Sequence, residues 1–205
     1  MVGYAQFEEN LAALRARVAS ACEKCGRSSD EVKILPVTKT HPADAAKYAL
    51  KAGFASVGEN RVQEARDKIP LAPPELNWEL IGHLQSNKAN LAASIFSRVQ
   101  SLDSLELAER LNRACGRAGK VLRVLLQVNA GRDPAKFGME IEEAPRVLEG
   151  VLAMENLKVE GLMTIAPLSE NLDAASAAFA SLRNLRDALS RDFGAELAEL
   201  SMGMS

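Results

Sequence analysis

Aromatic residues are scarce in this chain of 205 residues: 4% in all, with one tryptophan and two tyrosines. Histidine is scarcer still, at two residues, and His41 and His83 fit no H-x-x-x-H pattern, so a histidine-built metal site is not expected. No excess of positive charge exists. The formal net charge is -2 and the pI is about 5.8, which excludes the basic footprint of an electrostatic nucleic-acid binder. No apolar run approaches the roughly 20 residues that span a bilayer. The opening segment MVGYAQFEEN has neither a basic stretch nor an apolar one, so no secretory signal is read and the expected compartment is the cytoplasm. Cysteine is limited to Cys22, Cys25 and Cys115, an odd number that argues against a disulfide framework. Cys22 and Cys25 continue the spacing of Phe7, Leu11, Leu14 and Val18, so they read as the buried stripe of a leading helix within residues 1–30. No Gly-x-Gly-x-x-Gly follows the first β-rich run.

Short β-rich runs alternating with helical stretches are what is present. The runs are VKILPVTK, ASVGEN, NWELIGH, RVQSLD, LRVLLQVN, LKVEGLMTIA and ELAELSMGMS. Between them, Pro42 to Gly53, Glu142 to Met154 and Leu172 to Phe193 carry helical spacing. On the second, Val147, Leu148, Val151 and Leu152 share one side; on the third, Ala178, Phe179, Leu182, Leu185 and Leu189 recur. Such alternation implies βαβ units and a parallel sheet. About seven strands with this rhythm suit a (β/α)8 barrel of one domain over 1–205, with an open doubly wound sheet as the alternative.

In both folds chemistry sits at the carboxyl ends of the strands. Lys39 ends the first run, where burial would favour the neutral amine needed for a Schiff base. Glu59 and Asn60 end the second run. Glu59 reads as a helix-start carboxylate or an acid–base group, and Asn60 as a ligand contact or a helix cap. His83 ends the third, and Asp103 the fourth. The fifth ends at Asn129, with Lys136 and Phe137 in its loop, and Met163 lies near the end of the sixth. Ser201, Gly203 and Ser205 form a small-residue turn after the last, able to cradle a phosphate. A strand-end amine and a phosphate cradle together suit a phosphorylated aldehyde such as pyridoxal 5'-phosphate.

Seven segments carry a resemblance: VTKTHP, VGENRVQEA, WELIGHLQSNK, VQSLDS, KFGM, EGLMTIAP and LSMGMS, running in order from Val37 to Ser205. The chain resembles the pyridoxal-phosphate homeostasis proteins, the YggS/PROSC family, whose barrel is that of the amino-terminal domain of alanine racemase (fold type III). The resemblance implies that Lys39 carries the cofactor as an aldimine. It also implies that Asn60 and His83 flank the cofactor, that Met163 lines its pocket, and that Ser201, Gly203, Met204 and Ser205 hold its phosphate. Family members continue through a further helix, an eighth strand bearing Arg-Ile/Val-Gly-Thr, and a last helix. The sequence stops at Ser205, so a barrel lacking that strand and helix, with a reduced phosphate site, is expected.

The implied function is non-catalytic: holding the cofactor and supplying it to apo-enzymes, as a monomer. The absence of a second domain supports this, because a racemase of this fold takes its second base from one. Tyr4 and Tyr48 fall in helices, away from the strand ends. A one-domain racemase using His83 or Glu59 as second base is the alternative, and a phosphosugar enzyme with an aldolase-type Lys39 is a third reading.

Overall fold

Pro36 limits the first β-rich run. Proline has no N–H to give to a ladder and is tolerated only at edges. In the computed structural model, which describes residues 3–166 and 172–204, VKILPVTK is therefore not the expected strand. It is an extended segment with one parallel bridge, between Val37 and Gly58. Within it, the Gly58 N–H donates to Pro36 O at 2.8 Å and the Thr38 N–H to Gly58 O at 3.0 Å.

The elements that follow are helix α1 (Tyr4–Lys24), α2 (Asp44–Lys51), strand β1 (Ser56–Glu59), α3 (Val62–Lys68), β2 (Asn77–Leu80), α4 (Ala89–Ile95) and β3 (Arg98–Leu102). The series continues with α5 (Leu105–Ala118), β4 (Leu122–Gln127), α6 (Ala144–Leu152), β5 (Leu157–Ala166), α7 (Leu172–Phe193) and β6 (Glu199–Met204). Six of the expected strands and all the expected helices form. The sheet order is β1-β2-β3-β4-β5-β6, and from β2 to β6 each strand pairs in parallel with the next. Consecutive order without a reversal is the order of a (β/α)8 barrel and not of a doubly wound sheet, whose order turns back at a switch point. No described helix is long and apolar enough to cross a membrane.

The chain divides into two compact units, residues 1–58 with 66–77, and residues 59–65 with 78–205. In the first, Tyr4 packs edge-on against Tyr48 with centroids 5.4 Å apart. Leu11 and Cys22 are buried, but Leu14 is 41% exposed and Cys25 is exposed, so the stripe read for α1 is only partly a core face. Cys25 lies past the last helical residue, where its thiol meets the carbonyls of Ala21 and Cys22.

In the second unit the helices bury their apolar faces as their periodicity requires. On α5, Leu107, Ala108, Leu111, Ala114 and Cys115 are buried. Ser104 caps this helix by accepting from the Leu107 N–H, a contact worth about 1 kcal/mol. Gly119, at φ 63°, ends it in the left-handed conformation that glycine adopts without a Cβ clash. On α6, Val147, Leu148 and Val151 are buried, while Leu152, expected beside them, is 46% exposed at the helix's last residue.

The strands of this unit also bury polar side chains. Arg98 lies 2.8 Å from Glu160 and 3.7 Å from Glu79. Gln100 Nε2 donates to Glu79 at 2.7 Å. Buried charges persist only when paired in this way.

Candidate functional site

Lys39 stands immediately after the bridged segment, in a tight turn of the first unit, and is half-buried. The Thr38 carbonyl before it accepts twice, from Lys68 Nζ at 2.7 Å and from the His41 N–H at 3.1 Å. Thr40, after it, has φ 62°. A β-branched residue in the left-handed region is strained, and such strain persists only where surrounding contacts impose it. Contacts thus constrain the backbone on both sides of Lys39.

The remaining described positions belong to the second unit. Asn60 follows β1 and His83 follows β2. Their strand ends approach so closely that a Cβ on Gly82 would lie 2.2 Å from the Asn60 carbonyl oxygen. Only glycine allows that approach, and it sets Asn60 and His83 at neighbouring strand ends. His83 Nδ1 lies 3.2 Å from Asp103 Oδ2, at the end of β3. The imidazole stacks on Phe137, centroids 4.1 Å apart and planes within 9°. Asp103 and Phe137 were visible in the sequence as rim residues, yet their pairing with His83 has no sequence signal, because three loops bring them together.

Burial pushes the Asp103 carboxyl up from the ordinary carboxylate range, and the His83 imidazole pulls it part of the way back. The folded state therefore binds this proton more tightly than the unfolded state, and the contribution falls as pH rises through the window just above ordinary carboxylate values. Asp103→Asn removes that dependence. Its thermal midpoint relative to the unchanged protein is expected to rise between pH 4 and pH 7, about the carboxylate range and above it. A difference that is flat or falls with pH across that window would contradict the assignment.

Glu59 is not the helix-start carboxylate of the sequence reading. It ends β1 with 0% exposure, which removes it from solvent and from the start of α3. Met163 is 3% exposed in β5, in register with Gln127 of β4 and Ser201 of β6. Ser201 departs from expectation. The segment read as a turn is strand β6 itself, paired with β5 as far as Ala166 and Met204. The reason is local: Ser201, Met202 and Gly203 continue the ladder opposite Met163, Thr164 and Ile165. Ser201 Oγ donates to Gln100 Oε1 at 2.6 Å. Since Gln100 gives its amide N–H to Glu79, its oxygen faces Ser201, and the single serine proton is committed there. Gly203 is exposed, with open space where a Cβ would stand. Met204 closes the strand, and Ser205 lies outside the described residues.

Met163 and Ser201 lie side by side on β5 and β6, and His83 with Asp103 follows β2 and β3; a thioether, an imidazole, a hydroxyl and an open glycine backbone are groups whose chemistry suits a flat phosphorylated ring. Among the described residues no cluster suited to a metal ion occurs.

Comparison with known proteins adds independent findings. A family model for the alanine racemase N-terminal domain matches residues 10–205. A pyridoxal phosphate homeostasis protein of Pseudomonas aeruginosa is 40% identical over 198 residues, covering 96% of this chain and 84% of that one. A protein of the same name from Aquifex aeolicus is 37% identical over 198 residues, 96% of this chain and 87% of its own. Among solved structures, PipY of Synechococcus elongatus with PLP bound superposes with a TM-score of 0.79 at 36% identity, covering 93% of this chain and 89% of that one.

Proposed function

The chain belongs to the alanine racemase N-terminal domain family, and on that premise we propose that it is a cytoplasmic, non-catalytic binding protein for pyridoxal 5'-phosphate, keeping the reactive aldehyde sequestered and yielding it to apo-enzymes. Lys39 is the residue that captures the aldehyde, as a Schiff base with loss of water. Asn60, His83, Met163, Ser201, Gly203, Met204 and Ser205 complete the binding set. When bound, the cofactor supplies an electrophilic aldehyde and an electron-accepting ring.

The observation that carries this reading is the turn at Lys39. Two donors on the Thr38 carbonyl and a strained Thr40 fix the backbone from which the Lys39 side chain departs. A structural lysine on a solvated surface needs no such backbone. Relatives named for pyridoxal phosphate homeostasis and a PLP-bound relative support the choice of ligand. Ser201 then has a defined task. Its hydroxyl exchanges Gln100 for a phosphate oxygen, while the Gly203 backbone gives the phosphate room to approach.

One observation favours a second reading. A histidine backed by a carboxylate, as His83 is by Asp103, is the arrangement of a general base, which a racemase requires. The test takes the protein reconstituted with pyridoxal phosphate and single enantiomers of several amino acids. The binding-protein reading expects a near-violet absorption band and no sustained racemisation. Steady racemisation abolished by Lys39→Ala would replace it with the enzyme reading. A protein that acquires no band would end both.

A further inference from the structure

Gln127 is one of the buried polar groups that the proposed binding set leaves unused. It is the last residue of β4 and 2% exposed. Its Nε2 donates to the carbonyl of Phe137 at 3.2 Å. That bond fixes the orientation of the amide, because a carbonyl can accept only from the nitrogen side. The atom left over is therefore Oε1, and no described protein group donates to it. A buried amide oxygen without a donor is costly, so it calls for a donor from outside the described protein groups.

Its placement points to a ligand. Gln127 pairs with Met163, and Met163 with Ser201, so in these parallel strands the three side chains lie side by side on one face of the sheet. Leu126 and Leu162, one residue earlier and on the opposite face, are fully buried apolar residues. The Nε2 bond also ties Gln127 to the loop whose Phe137 stacks on His83. An unsatisfied acceptor thus stands in the row that carries two of the proposed binding residues, linked to the aromatic cover of a third.

We infer that Gln127 is a further ligand-binding residue, whose Oε1 accepts a hydrogen bond from an N–H or O–H donor on the ring of the bound cofactor. This rests on the pyridoxal phosphate reading. Its consequence is specificity for the protonation state: a neutral amide oxygen rewards a ring bearing a proton at its nitrogen or phenol oxygen, and rejects a ring that offers only lone pairs.

The test compares the unchanged protein with Gln127→Leu and Gln127→Met, using spectral titration with three aldehydes. These are pyridoxal phosphate, its 3-O-methyl ether, which lacks the phenol proton, and its 1-deaza analogue, which lacks the ring nitrogen. Both variants relieve the orphaned oxygen but also lose the Nε2 bond to Phe137, so their ligand-free thermal midpoints should fall by no more than a few degrees, about 1 kcal/mol. Pyridoxal phosphate should bind either variant about tenfold more weakly. One of the two analogues should bind variant and unchanged protein alike, which identifies the donor. Equal affinity of all forms for pyridoxal phosphate would overturn the inference. So would a uniform weakening of all three ligands, the signature of a lost tether to Phe137. If the unchanged protein binds none of the three, the cofactor reading itself fails, and this inference with it.

Discussion

Lys39→Ala is expected to abolish the near-violet band completely while leaving the protein folded. The band requires an amine that condenses with the aldehyde, and alanine has none. Lys39→Arg is expected to fail in the same way, because a guanidinium keeps the positive charge but is not nucleophilic at accessible pH. The two variants together separate charge from chemistry: an electrostatic role for Lys39 would survive in the arginine form. Stability should change by about 1 kcal/mol or less, since the side chain is half-buried and the clamp on the turn runs through the Thr38 carbonyl. Residual binding through the phosphate contacts is expected in both variants, detectable by calorimetry without colour. A retained band in Lys39→Ala would move the covalent site elsewhere in the chain.

Gly161→Ala is expected to have the largest effect on the fold. The register between β4 and β5 shifts where Leu125 pairs with Gly161, leaving Glu160 as the extra residue that reaches Arg98. The same kink brings Gly161 against β6. A Cβ there would lie 1.8 Å from the carbonyl oxygen of Glu199 and 2.6 Å from its carbon. Both are backbone atoms inside a paired ladder and cannot turn aside. The strands must separate, which disturbs the β5–β6 pairing that seats Met163 beside Ser201. The expected loss is about 3 kcal/mol or more, read as a fall in the urea midpoint at unchanged slope. A loss under about 1 kcal/mol would show that β5 and β6 can part at little cost.

Much of this architecture was legible in the sequence because its periodicity is local. LKVEGLMTIA is β5 to the residue, and Leu172 to Phe193 is α7. The rhythm of strand and helix also implied the parallel order, as right-handed crossovers leave few alternatives. The misreadings have distinct causes. VKILPVTK has the composition of a strand, but Pro36 deletes a ladder donor, and the run keeps one bridge. The Ser-Met-Gly-Met stretch has the composition of a turn, yet its backbone groups pair with β5, and pairing overrides small-residue preference.

Among the proposed binding residues, Lys39 and His83 stood out because each closes a β-rich run. The Gln100–Ser201 bond, spanning 101 positions, and the Asp103 and Phe137 partners of His83 did not. Such contacts are set by register and loop docking, which no short window of sequence contains. Glu59 shows the same limit: its strand end was legible, but its complete burial was not.

The most direct test of the central claim is chemical. The protein is loaded with pyridoxal phosphate, reduced with borohydride to make the linkage permanent, digested and mapped by mass spectrometry. One phosphopyridoxyl mass increment is expected, on the peptide containing Lys39. An increment found instead on Lys33, Lys68 or Lys136, or spread over surface lysines with Lys39 unmodified, would contradict it.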